Sequence, residues 1–347
     1  MTRVDIHILN PITYPNWDQL LLDRHDHSFF HTSIWTKVLQ ESYGFIPLHF
    51  AAFDRGRLSF LMPFMEVGNA MTGKRGVSLP FTDRCALIVP QKEMWGDAVK
   101  RVIEFGEKSG WKSVEWRDAA CFSEDILPSE LFYTHDIDLK GTDSEMAASL
   151  SRTNRRNIRK AVKVGVTARI GRSEDELKSF YHLNCLTRKR HGLPSQPYRF
   201  FKKVFEHIIS PGHGIIVTAM HSGKTIAASM FFHFGKSCIF KYGASDYRYQ
   251  ILRPNNLVLW EALQWYRQRG FETMSLGRTD TDNAGLLRHK RMWGAKESML
   301  TYYRYDIRKK TYIRHRSGID IRSRRIFARA PLSVLRLLGR LLYRHMG

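Results

Sequence analysis

Two stretches of this 347-residue chain set polar side chains beside residues that stop a helix. The first, FYHLNCLTRKRHGLPSQPYRFF at 180–201, places Thr187, Arg188, Arg190 and His191 just ahead of Gly192, Pro194 and Pro197. Glycine and proline break a helix there. The segment reads either as an anion or acyl-acceptor site at a helix end or as a basic surface turn. The second, GRTDTDNAGLLRHKRMWGAK at 277–296, sets Asp280 and Asp282 after a strand end, where α/β proteins tend to place chemistry. Lys290 and Arg291 follow, beside Trp293 and Gly294. Acids near bases can form a proton acceptor with a charge-stabilising cation, or a plain ion pair.

The elements that must position these groups occur twice. IPLHFAAF, the turn DRGR and LSFLMPFM, from Ile46, read as a β-hairpin; IIVTAM, HSGK and TIAASMFFHF, from Ile215, read as another. Each is followed by further strand-like sequence, a helix, a glycine with an aromatic residue, and a strand. EFGEKSGWKSVEWRD closes the first set and WYRQRGFETMSLGRTD the second, with Gly110 and Gly270 as the expected helix C-caps. This spacing suits a duplicated domain rather than a solenoid. In the second copy a helix is expected from about Asn256 to Arg269, burying Leu259, Ala262, Leu263 and Tyr266.

Another helix opens at Ser151. Arg152, Arg155, Arg156, Arg159, Lys160 and Lys163 crowd it without one acid, so like charges repel along it and negative charge must come from outside. The whole chain carries a net charge of +22, which points to an anionic partner. Half of that charge lies in residues 304–347, with thirteen Lys and Arg against Asp306 and Asp320. There Pro331 can start a helix. Val334, Leu335, Leu337, Leu338, Leu341 and Leu342 share one broad face of it, and Arg336, Arg340 and Arg344 recur every fourth residue. The apolar face must be covered by the protein itself or by anionic lipid.

At 43% hydrophobic and 25% charged residues, the chain is globular. It lacks a G-x-S-x-G elbow, a P-loop and H-E-x-x-H, and its aromatic strands carry no RNA-recognition signature. The fifteen histidines form no ligand spacing, so no metal is expected. Cys85, Cys121, Cys185 and Cys238 lie far apart and read as reduced thiols. The N-terminal segment has no signal-peptide pattern and no run of 18 apolar residues occurs, so a cytoplasmic protein is expected, with a peripheral place on the inner face of the membrane if the tail binds lipid.

The ordered set FFHTSIWTKVLQESYGFIPLHF, GVSLPFTD, SLSRTNRRNIRKAVKVGV, LTRKRHGLP, KYGASD, RPNNLVLWEALQWYRQRGF and GLLRHKRMWGA, over about residues 25–310, resembles the FemAB-like acyltransferases of the GNAT superfamily. The resemblance implies an α/β (α+β) fold of two tandem GNAT-like domains, each a mixed, largely antiparallel sheet flanked by helices. The boundaries read as 1–130 for the N-terminal domain, 131–310 for the catalytic one and 311–347 for the basic amphipathic tail. It implies transfer of an acyl or aminoacyl group to an amine of a cell-envelope or exopolysaccharide-related acceptor. The best-studied branch moves amino acids from aminoacyl-tRNA onto peptidoglycan precursors. A polyanion-binding protein without turnover and a degenerate scaffold remain as alternatives.

The family's F-K-x-x-[FW]-G element falls on His289 to Gly294, so Lys290 matches the lysine held to stabilise charge during transfer. Its T-x-x-R falls on Thr187 and Arg190, associated with acceptor phosphates. On this reading Tyr242 and Gly243 present backbone N–H groups to the carbonyl, and Asp280 accepts a proton. Arg253 and the helix start at Asn256 face donor phosphates. Arg188, His191 and Trp293 join the substrate-binding set. No tightly bound cofactor is implied; the donor is acyl-CoA or aminoacyl-tRNA. A sequence Leu252 to Asn256, in place of the glycine-rich pyrophosphate loop, puts coenzyme A in question, and no tRNA-gripping helical arm is present.

Overall fold

The computed structural model describes residues 5–69, 73–89, 94–118, 126–314 and 321–345. Cys121, read above as a free thiol, lies outside them. The chain divides into two compact units, one of residues 1–133, 299–317 and 343–347, the other of residues 134–298 and 318–342.

The first unit begins with β1 (His7–Leu9), α1 (Trp17–Leu22), α2 (Ser33–Tyr43) and β2 (Ile46–Pro47). The expected hairpin follows as β3 (His49–Asp54) and β4 (Arg57–Met62), turning through Arg55 and Gly56 at φ of 47° and 78°. Next come β5 (Met65–Asn69), β6 (Gly73–Val77), α3 (Met94–Lys108) and β7 (Trp111–Arg117). Strands β6 and β7 pair in parallel across α3, and Gly110 at φ 71° ends that helix. Phe60, Phe64, Trp111 and Trp116 are buried in this unit's core.

β8 (Glu130–Asp138) carries the chain into the second unit, which continues with α4 (Asp143–Ser149), α5 (Arg152–Lys163), β9 (Thr167–Gly171) and α6 (Glu174–Arg190). Helix α7 (Tyr198–Val204) is prolonged by one π-helical turn to Ile209. β10 (Gly214–His221), β11 (Lys224–Phe234) and β12 (Ser237–Ser245) form the second hairpin and its neighbour, giving the order β9-β10-β11-β12-β13 with antiparallel pairs up to β12. A 3-10 turn, Tyr247–Leu252, leads into α8 (Pro254–Gln268), followed by β13 (Thr273–Asp280) and α9 (Ala284–Arg291). The four residues expected to line the buried stripe of α8 all lie in the core. Pro254 occupies its first turn, and past its end the Gly270 N–H, at φ 74°, donates to the Arg267 carbonyl at 2.9 Å.

The duplication holds in the crossover half and diverges in the hairpin half. Both units place a helix between two parallel strands, β6-α3-β7 and β12-α8-β13. In the second unit the hairpin shares a sheet with that crossover; in the first, β3 and β4 pair with β1 in a separate sheet. Pro63, which has no N–H to donate, separates β4 from β5.

β14 (Lys296–Asp306) leaves the second unit and pairs with β7 from Tyr302↔Arg117 to Asp306↔Ser113. Residues 299–310, expected in the second domain, thus belong to the first unit and join its sheet through Tyr302 to Asp306. The tail is not one piece either. β15 (Thr311–Tyr312) pairs with β14, α10 (Ile321–Arg329) and α11 (Leu332–Leu342) pack on α6 in the second unit, and the last turn, Tyr343–His345, returns to the first.

Candidate active site

The second unit splits open along one strand pair. β12 and β13 match only at Ser237↔Thr273, Cys238↔Met274 and Ile239↔Ser275. Beyond Ile239, β12 stays on β11 and takes one extra residue, Lys241, between Phe240↔Phe231 and Tyr242↔Met230. Such a bulge bends and twists its strand. The parallel pair therefore parts toward its C-terminal ends, where ligands of α/β sheets sit. Gly243 follows the bulge, and an added Cβ would come within 2.7 Å of the Phe240 ring. The Tyr242 ring turns into an aromatic cluster, 5.3 Å from Phe201 and 6.4 Å from Phe180.

The end of β12 is held from two helices. Thr187 of α6 donates its hydroxyl to the Ser245 carbonyl at 3.1 Å and accepts the Ser245 N–H at 3.0 Å. Asn255, in the first turn of α8, donates to the Ser245 hydroxyl at 3.2 Å. Arg253, immediately before α8, is exposed at φ 61°, and no side chain caps the helix. N–H groups at such an end and the helix dipole favour an anion.

Lys290 lies on α9, whose start is capped by the Asn283 side chain accepting the Leu286 N–H at 3.1 Å. It is only 6% exposed. Its Nζ donates to the Gly277 carbonyl at 2.7 Å and to that of Arg278 at 3.1 Å, on the stretch of β13 turned by Gly277 at φ 70°. The ammonium is thus fixed against the strand that parts from β12. Asp280 stands exposed at the end of β13.

Sequence reasoning missed two partners of this helix. His135 of β8 is buried and shares a 3.0 Å hydrogen bond with Glu297, which also holds Arg291 through two contacts of 2.9 and 2.7 Å. Burial, then the Lys290 charge, keeps His135 below the ordinary imidazole value. The Arg291 hydrogen bond pulls Glu297 down in turn, despite its desolvation. The 162 positions between His135 and Glu297 hid the pair.

A polar knot joins α5, α8 and α9. Asn256 donates to Asn154 Oδ1 at 3.1 Å, Asn154 donates to the Met292 carbonyl at 3.0 Å, and Ser151 N–H reaches the same carbonyl at 3.0 Å. Asn256 is thus engaged inside the fold. Trp293 is a correction: it is fully buried in the core and offers a ligand no surface, its Nε1 donating to His289 at 3.4 Å. An indole in the [FW] position of the motif packs as any large apolar side chain does.

The remaining groups gather at the far end of α6. Arg188 Nε donates to the Pro194 carbonyl at 3.3 Å. Arg190 and His191 are exposed, with the Arg190 guanidinium 5.1 Å from the Tyr247 ring centroid. Desolvation, then the charges of Arg190 and Arg188, hold His191 below its usual value, so at neutral pH it is an imidazole able to accept a proton. Along the same helix, Lys178 and His182 face Lys224, Ile226, Asp246 and Arg248 across a cavity of about 500 Å³, which does not include Lys290. On α5, Arg152, Arg156, Arg159, Lys160 and Lys163 are exposed and Arg155 half-buried, and none of the six pairs with an acid among the described residues.

A family profile for an acetyltransferase (GNAT) domain matches residues 148–291. No curated protein matches the chain significantly. Among solved structures, FemX is similar with a TM-score of 0.65 at 14% identity, over 82% of this chain and 94% of that one. A tandem GNAT protein from the clavulanic acid biosynthesis pathway gives 0.55 at 9%, over 88% and 99%. L-PGS from Bacillus licheniformis gives 0.53 at 13%, over 95% and 98%. These likenesses speak for the fold, which agrees with the mixed sheets and parallel helix crossovers of both units. The profile spans the parted strands, α8 and the Lys290 helix, so residues 148–291 match an acetyltransferase (GNAT) domain within a fold similar to those of FemX and a tandem GNAT protein.

Proposed function

We propose that the second unit carries the chemistry, transferring an activated acyl or aminoacyl group to an amine of a cell-envelope or exopolysaccharide-related acceptor in the cytoplasm. The observation that supports this reading is the parting of β12 from β13, with an uncapped helix start tied to the end of β12 through Asn255. A donor laid in the gap would bring its carbonyl to the backbone of Tyr242 and Gly243 and its phosphates to Arg253 and the first turn of α8. The amine attacks the carbonyl carbon, its proton passes to a base, and the bond to the donor's sulfur or oxygen breaks. That leaving group takes up a proton. Asp280, exposed at the end of β13, is the proposed proton acceptor, and Lys290 supplies positive charge toward the developing oxyanion. Arg190 and His191 stand on the acceptor side.

The donor is acyl-CoA or aminoacyl-tRNA. The unpaired cations of α5 favour a second reading in which the donor is aminoacyl-tRNA and the acceptor a peptidoglycan precursor. Mass spectrometry of envelope polymers and amines from cells with and without the protein tests the proposal. An amide-linked acyl or aminoacyl group present only with the protein is expected; identical profiles together with salt-sensitive RNA binding would leave a polyanion binder instead.

A further inference from the structure

Helix α11 has two apolar faces with different fates. Its inner face packs on α6 and the following loop. Leu335 is fully buried, an added Cβ at Gly339 would run into the Ser195 carbonyl, and the Arg336 guanidinium lies 5.5 Å from the Tyr181 ring centroid. That contact closes the protein's own core. It does not use Val334, Leu337 and Leu341, which follow one another at helical spacing on the opposite side and are 43%, 58% and 52% exposed. On α10, Ile326 is 67% exposed.

Charge identifies the occupant of this outer face. Arg325, Arg329 and Arg340 are exposed and have no acid partner among the described residues, and no Asp or Glu occurs anywhere in 321–347. An apolar stripe edged by arginines matches an anionic bilayer, where aliphatic side chains enter the boundary between headgroups and acyl chains and guanidinium groups meet lipid phosphates. A soluble polyanion would engage the arginines and gain nothing from the stripe. We propose that the outer face of α10 and α11 docks the protein on an anionic lipid surface, with Val334, Leu337 and Leu341 inserted and Arg325, Arg329 and Arg340 on lipid phosphates. This holds whatever group the enzyme transfers.

The test is co-sedimentation of the full-length protein with phosphatidylcholine vesicles made with and without phosphatidylglycerol. Binding is expected only to the anionic vesicles and should weaken with salt. The double variant L337E/L341E, altered at exposed positions, should partition about tenfold less or worse while its melting temperature stays at the parent value. R325Q/R329Q/R340Q should lose binding to a similar degree. Unchanged partitioning of L337E/L341E would overturn the proposal. So would conversion of a dimer to a monomer by that variant in analytical ultracentrifugation, since the face would then join two copies. Vesicle binding lost in the arginine variant alone would mark a surface for soluble polyanions and overturn it equally.

Discussion

Lys290 is a buried ammonium with two backbone carbonyls as acceptors, so its removal has two separable effects. Lys290→Ala leaves the Gly277 and Arg278 carbonyls without that donor, which costs about 1–3 kcal/mol of stability. If Lys290 also stabilises charge in transfer, turnover of the folded fraction falls by about 100-fold or more, as when one oxyanion donor is lost. A lower melting temperature with parent-like turnover of the folded fraction would make Lys290 a strand staple alone. A second residue-scale expectation concerns acid. Burial holds His31 at about 4, His49 at about 3 and His233 at about 4. His31 is satisfied as a neutral ring, accepting the Ser28 N–H at 2.9 Å and meeting the Ala86 carbonyl at 2.7 Å. The unfolded chain takes up protons near pH 6.5 that these folded rings refuse. Their stabilisation is thus complete above about pH 6.5 and is lost as pH falls, by roughly 1.4 kcal/mol per unit for each ring. Melting temperature should be level between about pH 7 and 8 and fall steadily from about pH 6 to 4.5; a level profile across the lower window would contradict the burial of these rings.

At the scale of elements, the tail shows which part of the fold could be read in the sequence. The spacing of its leucines announced an amphipathic helix but left its cover open between the protein and lipid. The structure divides the leucines: Leu335 faces α6, and Leu337 and Leu341 face away. The deciding residue for the inner face is Gly339, seated against the Ser195 carbonyl. Gly339→Ala should push α11 off the loop that follows α6, cost about 1–3 kcal/mol and speed proteolysis within 331–347. A parent-like melting temperature and cleavage rate would contradict the close seat of α11 on the Ser195 loop. Local patterns made the α8 stripe, both hairpins and the glycines after α3 and α8 legible, because 3.6-residue and two-residue periods report burial directly. The helix start after Arg253 and the Lys290 segment were legible through the family motif. The bulge at Lys241, the knot of Asn154 with Asn256, and the His135 to Glu297 pair were not, since each depends on partners brought together only by the sheet. Trp293 was misread because a motif position does not reveal which way a side chain packs.

At the scale of the molecule, duplication and strand exchange along the chain work together. Both units use a parallel crossover, yet only the second carries the match to an acetyltransferase domain. β14 starts in the second unit and completes the sheet of the first, so neither unit is one continuous segment. The net charge of +22 gathers on α5 and the tail, as expected for an enzyme whose donor, acceptor or supporting surface is anionic. The most direct test of the central claim uses the purified full chain with labelled acetyl-CoA or aminoacyl-tRNA and a panel of amine-bearing envelope precursors, with product mass as the readout. An amide product that accumulates over many turnovers with one donor class, and that falls by about 100-fold in Lys290→Ala relative to folded protein, is the predicted result. Absence of any transferred group with every donor and acceptor, from protein that is folded and binds RNA or lipid, would contradict the assignment of acyl transfer to the second unit.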